Sequence, residues 1–129
     1  MKNAPIKRGD IYSLDFGPNS GSIQGGRRPC VVLQNDIQNA RSPTTIIAPI
    51  TTVLKKTSLP SHVIIGRNFG LQVESMILLE QIRTVNRNNL GKLIGHIDEP
   101  ALMHLIDIGL TSVLSIQPEG TDWEPKATT

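Results

Sequence analysis

Two adjacent guanidinium groups, Arg27 and Arg28, stand between a glycine pair, Gly25–Gly26, and a continuous apolar run from Cys30 to Leu33. A guanidinium presents a flat fork of donors that matches phosphate oxygens, and glycine lets the backbone approach a ligand closely. The chemistry they would serve is the holding of a polyanion beside a rigid strand. A solvated loop whose arginines only keep the chain soluble is the competing interpretation, and a short glycine-rich pattern does not by itself separate the two. Other reactive groups offer less. Cys30 is the only cysteine and lies inside the apolar run, so it is expected in the core and excludes a disulfide within the chain. His62, His96 and His104 are scattered without metal-ligand spacing, so no metal is expected.

Such groups act only if the fold fixes them, and the apolar pattern supplies the elements. Asp10 to Phe16 puts Ile11 on one face and Tyr12, Leu14 and Phe16 on the other, a strand with one well-buried side. Gly17 to Gly21 opens a long loop, expected to be mobile, that returns through the glycine pair into a second strand, Pro29 to Gln34. Ile37 to Ala40 suits a short helical turn, and Thr44 to Ile50 a third strand. Pro49 cannot donate to a ladder, so this strand is expected to end, bulge or lie on an edge there, with Thr51 following the interruption. Thr51 to Pro60 reads as an exposed connector carrying Lys55 and Lys56. Short strands follow at His62–Ile65, at Ser75–Leu79 with Arg83–Val85 as an extension, and around Lys92–His96. No connector is long and apolar enough to be a crossover helix, so the sheet should be small, curled and antiparallel. Leu102, Leu105, Ile106, Gly109, Val113 and Ile116 then recur at helical spacing. They predict one long helix across the sheet, N-capped by Asp98, with Glu99 and Pro100 in its first turn.

A chain of 129 residues predicts one domain able to bury a core unaided. Its net charge of +2 conceals an asymmetry: residues 1–97 carry 12 basic and 5 acidic side chains, residues 98–129 carry 1 and 6. The front of the chain is therefore the surface suited to a polyanion. One Trp, one Tyr and two Phe leave few stacking platforms, so a nucleic acid would be held mainly through phosphates and hydrogen bonds. No apolar run approaches the ~18 residues of a membrane helix, and MKNAPIKRGD lacks the apolar centre of a signal peptide. A cytoplasmic protein without membrane contact is expected. The domain should span residues 1–117, and residues 118–129, poor in apolar side chains, should form a loose tail with Trp123 as its only anchor.

In order along the chain stand RGDIY at Arg8 to Tyr12, QGGRRP at Gln24 to Pro29, QND at Gln34 to Asp36, SPT at Ser42 to Thr44, IT at Ile50–Thr51 and LEQIRT at Leu79 to Thr84. Carrying these over most of residues 7–116, the chain resembles the MazF/PemK family of toxin endoribonucleases. The resemblance implies a mainly β fold with α, an SH3-like curled antiparallel β-barrel with a C-terminal helix packed on it. It also implies a homodimer neutralised by a cognate antitoxin, and metal-independent, sequence-specific cleavage of single-stranded RNA without a cofactor. In such a reaction the ribose 2′-hydroxyl attacks the neighbouring phosphorus, leaving a 2′,3′-cyclic phosphate and a 5′-hydroxyl. RNA brings its own nucleophile, so the protein need only align the attack, stabilise the phosphoryl charge and assist proton transfer.

The family's catalytic arginine, directly before proline, matches Arg28, and its threonine after the third strand matches Thr51. Arg28 would clamp the phosphate and is no simple base, since guanidinium stays protonated to a pKa above ~12. Thr51 would donate to a phosphoryl oxygen; a strand-ending threonine bonded to its own backbone is the alternative. One departure is Ile23, where many members carry a loop Glu. Glu80 is the nearest replacement, at a place where some members use Asp as base, but the Arg that accompanies that Asp is Leu78 here. A Glu80 carboxylate paired with Arg83 or Arg28 is the competing role. Arg8, Gln24, Arg27, Asn35, Gln81 and Arg83 lie in or near the motifs and are candidates for phosphate or base contacts. The missing Glu also admits a non-catalytic gyrase poison of the same fold or a degenerate RNA binder, against which the retained Arg28 and Thr51 speak. An SH3-like peptide-binding module is disfavoured by the scarcity of aromatics.

Overall fold

The computed structural model describes residues 5–116, so the tail expected at 118–129, with Trp123, lies outside the described residues. Within them run β1 (Asp10–Asp15), β2 (Arg27–Val32), α1 (Asp36–Arg41), β3 (Thr44–Thr51), β4 (His62–Ile65), β5 (Ser75–Leu78), β6 (Arg83–Asn86), β7 (Leu93–His96) and α2 (Pro100–Leu114). Single 3₁₀ turns at Leu79–Gln81 and Arg87–Asn89 flank β6. All strand pairs are antiparallel, in the order β4-β5-β3-β2-β1-β7 with β6 beside the first half of β3. The fold is a curled antiparallel half-barrel with a C-terminal helix; the absence of a crossover connector predicts the antiparallel curl, and the spacing from Leu102 predicts the helix.

Curling explains where the strand expectations fall short. β1 is buried on both faces rather than one. Ile11 joins Val31, Ala48, Ile50, Leu102 and Ile106 beneath α2, while Tyr12, Leu14 and Phe16 join Cys30, Val32 and Ile47 in a second cluster on the opposite face. The sheet bends far enough for Ile6 and Leu90 to cover that second face. Pro49 neither ends β3 nor puts it on an edge. β3 pairs with β6 from Thr44 to Ile47 and with β5 at Ile50 and Thr51, so Pro49 falls in the gap between these partners. A residue without an N–H is tolerated there, and the strand runs on to Thr51.

α2 also departs from expectation at its ends. Its N-cap is Glu99, not Asp98, and no side chain caps it; Pro100 occupies the first turn, where its missing N–H has no helical partner to lose. Leu102, Ile106 and Gly109 form the buried stripe, whereas Leu105 and Ile116 are about half exposed. Gly109 is required by proximity: a Cβ there would lie 2.4 Å from Leu79 Cδ1 and 2.6 Å from the Pro60 carbonyl oxygen. The helix is thereby seated directly on the 3₁₀ turn and on the end of the β3–β4 connector. Among the described residues no helix is long and apolar enough to cross a membrane.

Candidate functional site

β2 and β3 run side by side with Cys30 opposite Pro49, Val31 opposite Ala48 and Val32 opposite Ile47. Directly opposed residues share a face, and the pattern repeats every second residue. Alternation carried two residues along each strand from the Cys30–Pro49 pair puts Arg28 and Thr51 on the face that also carries Cys30 and Pro49. Leu14 of β1 lies across from Arg28, and Met76 of β5 lies across from Thr51. The guanidinium and hydroxyl singled out from the sequence thus come to one side of the sheet, at the end where β2 leaves the loop and β3 enters its connector.

Each group is held by its own backbone surroundings. Arg28 is half-buried, and its Nε donates to the Gly25 carbonyl at 2.9 Å. Among the described residues neither of its terminal nitrogens has a hydrogen-bond partner, so the outer edge of the fork is available to an anion. Thr51 is 4% exposed, and its Oγ1 accepts the Val53 N–H at 3.1 Å. That is the local bond a strand-ending threonine makes, and it leaves the hydroxyl hydrogen for an outside acceptor.

The loop before Arg28 is tied down, contrary to the mobility expected of it. Its neck closes through Phe16 N–H to Gly26 O at 2.9 Å and Gly26 N–H to Gly17 O at 2.5 Å, and Ser20 and Ile23 bridge across it. Gly25 is needed for this closure rather than for a ligand: a Cβ there would sit 2.4 Å from the Asn19 nitrogen and 2.6 Å from the Gly17 oxygen. Gln81 then clamps the loop from the 3₁₀ turn. Its Oε1 accepts from Gln24 N–H at 3.0 Å and its Nε2 donates to Ser22 O at 2.9 Å. Between loop and turn opens a cavity of about 340 Å³ lined by Phe16, Ile23, Gln24, Pro49, Glu80, Gln81, Ile82 and Arg83. Arg83 lies with its guanidinium carbon 4.6 Å from the centre of the Phe16 ring and donates to Phe16 O at 3.2 Å.

Glu80 pairs with neither arginine suggested for it. Its Oε2 accepts from His62 Nε2 at 3.0 Å, while His62 Nδ1 faces the carbonyl oxygens of Lys55 and Lys56 at 3.0 and 3.1 Å. Burial alone would lower the His62 pKa, but the hydrogen bonds to Glu80 and to these carbonyls outweigh it, and the value is raised. The role of His62 was missed from sequence because Glu80 meets it only through the pairing of β4 with β5, and the Lys55 and Lys56 carbonyls only through the fold of the connector. With Glu80 answered by His62, Arg28 and Arg83 leave this end of the sheet cationic.

Three candidate binding residues are engaged elsewhere. Arg8 donates to Leu33 O and, at 2.7 Å, to the Asp107 carboxylate on α2, which fastens the helix to the sheet. Arg27 alternates to the face opposite Arg28 and donates to Ser13 Oγ at 3.1 Å. Asn35 is the N-cap of α1, accepting from Gln38 N–H at 2.8 Å. Burial pushes the Cys30 thiol up to about 12, as suits a core residue. Among the described residues no group of three or more His, Cys, Asp or Glu side chains is arranged to hold a metal ion.

A curled antiparallel sheet with a C-terminal helix packed on it is an architecture shared with solved structures. The profile of the PemK-like, MazF-like toxins of type II toxin-antitoxin systems matches residues 7–114, and the chain belongs to that family. It is 46% identical over 112 residues to endoribonuclease EndoA of Bacillus subtilis, covering 86% of this chain and 96% of that one. It is 42% identical over 109 residues to endoribonuclease MazF of Staphylococcus saprophyticus, covering 81% and 91%. Among solved structures, MazF of Deinococcus radiodurans superposes with a TM-score of 0.73 at 24% identity, covering 88% of this chain and 99% of that one. A mycobacterial endoribonuclease in complex with its cognate antitoxin superposes equally, with a TM-score of 0.73 at 22% identity over 87% and 97%.

Proposed function

We propose that this chain is the toxin of a toxin-antitoxin pair and acts in the cytoplasm as a homodimeric, metal-independent endoribonuclease on single-stranded RNA, held in check by a cognate antitoxin. Its relatives' names as endoribonucleases support the activity. The observation that carries the site is the shared sheet face of Arg28 and Thr51. RNA enters this end of the sheet with its scissile phosphate on the free edge of Arg28. As the ribose 2′-oxygen bonds to phosphorus its proton passes to water, the bond from phosphorus to the 5′-oxygen breaks and that oxygen takes a proton from water. The Thr51 hydroxyl donates to a phosphoryl oxygen and, with Arg28, stabilises the charge that grows on the pentacoordinate phosphorus. Arg83 and Phe16 flank the flanking nucleotide from the cavity wall, with Gln24 and Gln81 holding the loop against it. Glu80, engaged by His62, serves to hold structure in this scheme rather than as the base.

The test is incubation of purified protein with mixed-sequence RNA in EDTA, followed by mapping of the ends. Discrete cuts with 5′-hydroxyl termini are expected, and Arg28→Ala should slow cleavage on the order of 10² to 10³-fold, as removal of a preorganised charge stabiliser does. Random degradation, or a variant cutting as fast as the parent, refutes the assignment of Arg28.

A further inference from the structure

Thr51 is followed by the connector 52–61, which returns at His62, the first residue of β4. The connector is exposed along its length up to Pro60 and contains Lys56 at φ 49, a left-handed conformation that side-chain-bearing residues rarely adopt. His62 supplies the restraint on this strained point. Its Nδ1 lies within hydrogen-bonding distance of the Lys55 and Lys56 carbonyl oxygens, and its Nε2 reaches the Glu80 carboxylate. Both ring nitrogens face acceptors only, so the full set of bonds exists only when both carry a proton. The next residue, Gln81, clamps the loop that holds Arg28. Two adjacent side chains of one 3₁₀ turn therefore restrain the two backbone segments that flank the Arg28–Thr51 pair.

We propose that His62 is a positioning residue for RNA cleavage: as an imidazolium it straps the connector after Thr51 to the Leu79–Gln81 turn, and loss of its proton releases the connector and slows the reaction. The inference rests on the site proposed above. Glu80 is the charged side chain in contact with the ring. β5 sets the uncharged Leu78 opposite His62, and the side chains of Lys55 and Lys56 are exposed. On α2, which packs against β4, His104 and Asp107 are both exposed, and Asp107 is paired with Arg8. The His62 pKa lies above the ordinary 6.5 in the folded protein, so the strap is complete below that value and is lost as pH rises through the raised one.

The experiment uses the full chain and His62→Gln, whose amide cannot donate from both ends and carries no charge. Amide hydrogen exchange of residues 53–60 is followed without RNA, and single-turnover cleavage with RNA, each expressed as the ratio of parent to variant across a pH series. At acid pH the parent should protect the connector better and cleave on the order of 10-fold faster, with KM little changed. Both ratios should fall toward one at alkaline pH, and Glu80→Gln should move that fall to lower pH. A cleavage ratio that does not vary with pH, or a connector equally protected in both proteins, overturns the proposal. If His62→Gln does not fold, the pH dependence of the parent's connector exchange relative to that of β3 decides alone. A parent that cuts no RNA at any pH refutes the ribonuclease site instead, while the exchange measurement still judges the strap.

Discussion

Gln81→Ala isolates what the loop clamp does for catalysis. The side chain makes two bonds across nearly sixty residues of chain, to Gln24 N–H at 3.0 Å and Ser22 O at 2.9 Å, and touches the neighbourhood of Arg28 only through the loop. A net hydrogen bond stabilises by about 0.5–1.5 kcal/mol, so the closed loop loses about 1–3 kcal/mol. Gln24 is part-exposed and water can replace some of what is lost, which favours the lower half of that range. A shift of about 1.4 kcal/mol is tenfold in the balance of closed and open loop. Arg28 is anchored to the same loop through Gly25 O, so in the proposed site an open loop would carry the guanidinium off the phosphate. The expected result is single-turnover cleavage slowed on the order of 10-fold, with faster amide exchange at residues 19–26 and unchanged exchange in β3. Gln81→Glu, which keeps an acceptor for Gln24 but loses the donor to Ser22, should fall between parent and Ala. If Gln81→Ala exchanges its loop amides faster yet cleaves at the parental rate, loop closure does not position Arg28.

Thr51→Ser keeps the hydroxyl that accepts from Val53 and should retain most activity, whereas Thr51→Val should slow cleavage about 10 to 10²-fold. It should also destabilise the fold by about 1 kcal/mol in denaturant titration as Val53 N–H loses its partner. Equal rates for Ser and Val would remove the hydroxyl from the mechanism. Gly109→Ala should lower stability although Ala is the better helix former by about 1 kcal/mol, because its Cβ would press on Leu79 and on the backbone of Pro60. A raised melting temperature would show that α2 can lift from the connector freely.

What could be read from the chain was whatever depends on neighbours a few residues away. Alternation at Ile11 to Phe16 places a strand, and the three- and four-residue spacing from Leu102 places a helix, because each pattern is the period of its own element. Pro49 misleads because its tolerance depends on β3 changing partners, and those partners lie about thirty residues downstream. Arg8, Arg27 and Asn35 looked like binders through the motifs they occupy, but each makes a hydrogen bond that helps hold the fold, and Arg8 reaches a carboxylate 99 residues away. Glu80, expected as a base or as the partner of Arg83 or Arg28, and His62, expected only as one of three scattered histidines, instead meet each other, because β4 lies on β5. Arg28 and Thr51 were found through the family motif, yet their joint placement is a matter of parity. Each lies an even number of residues from the Cys30–Pro49 pair, so both take that pair's face. A slip of one residue between β2 and β3 would turn the hydroxyl to the α2 side of the sheet. The buried Ile47, Ala48 and Ile50 forbid such a slip, since it would exchange the contents of the two apolar clusters. Core packing on both faces of β3 is therefore what keeps Arg28 and Thr51 on one face, and in the proposed site side chains that never meet RNA would set the geometry of its cleavage.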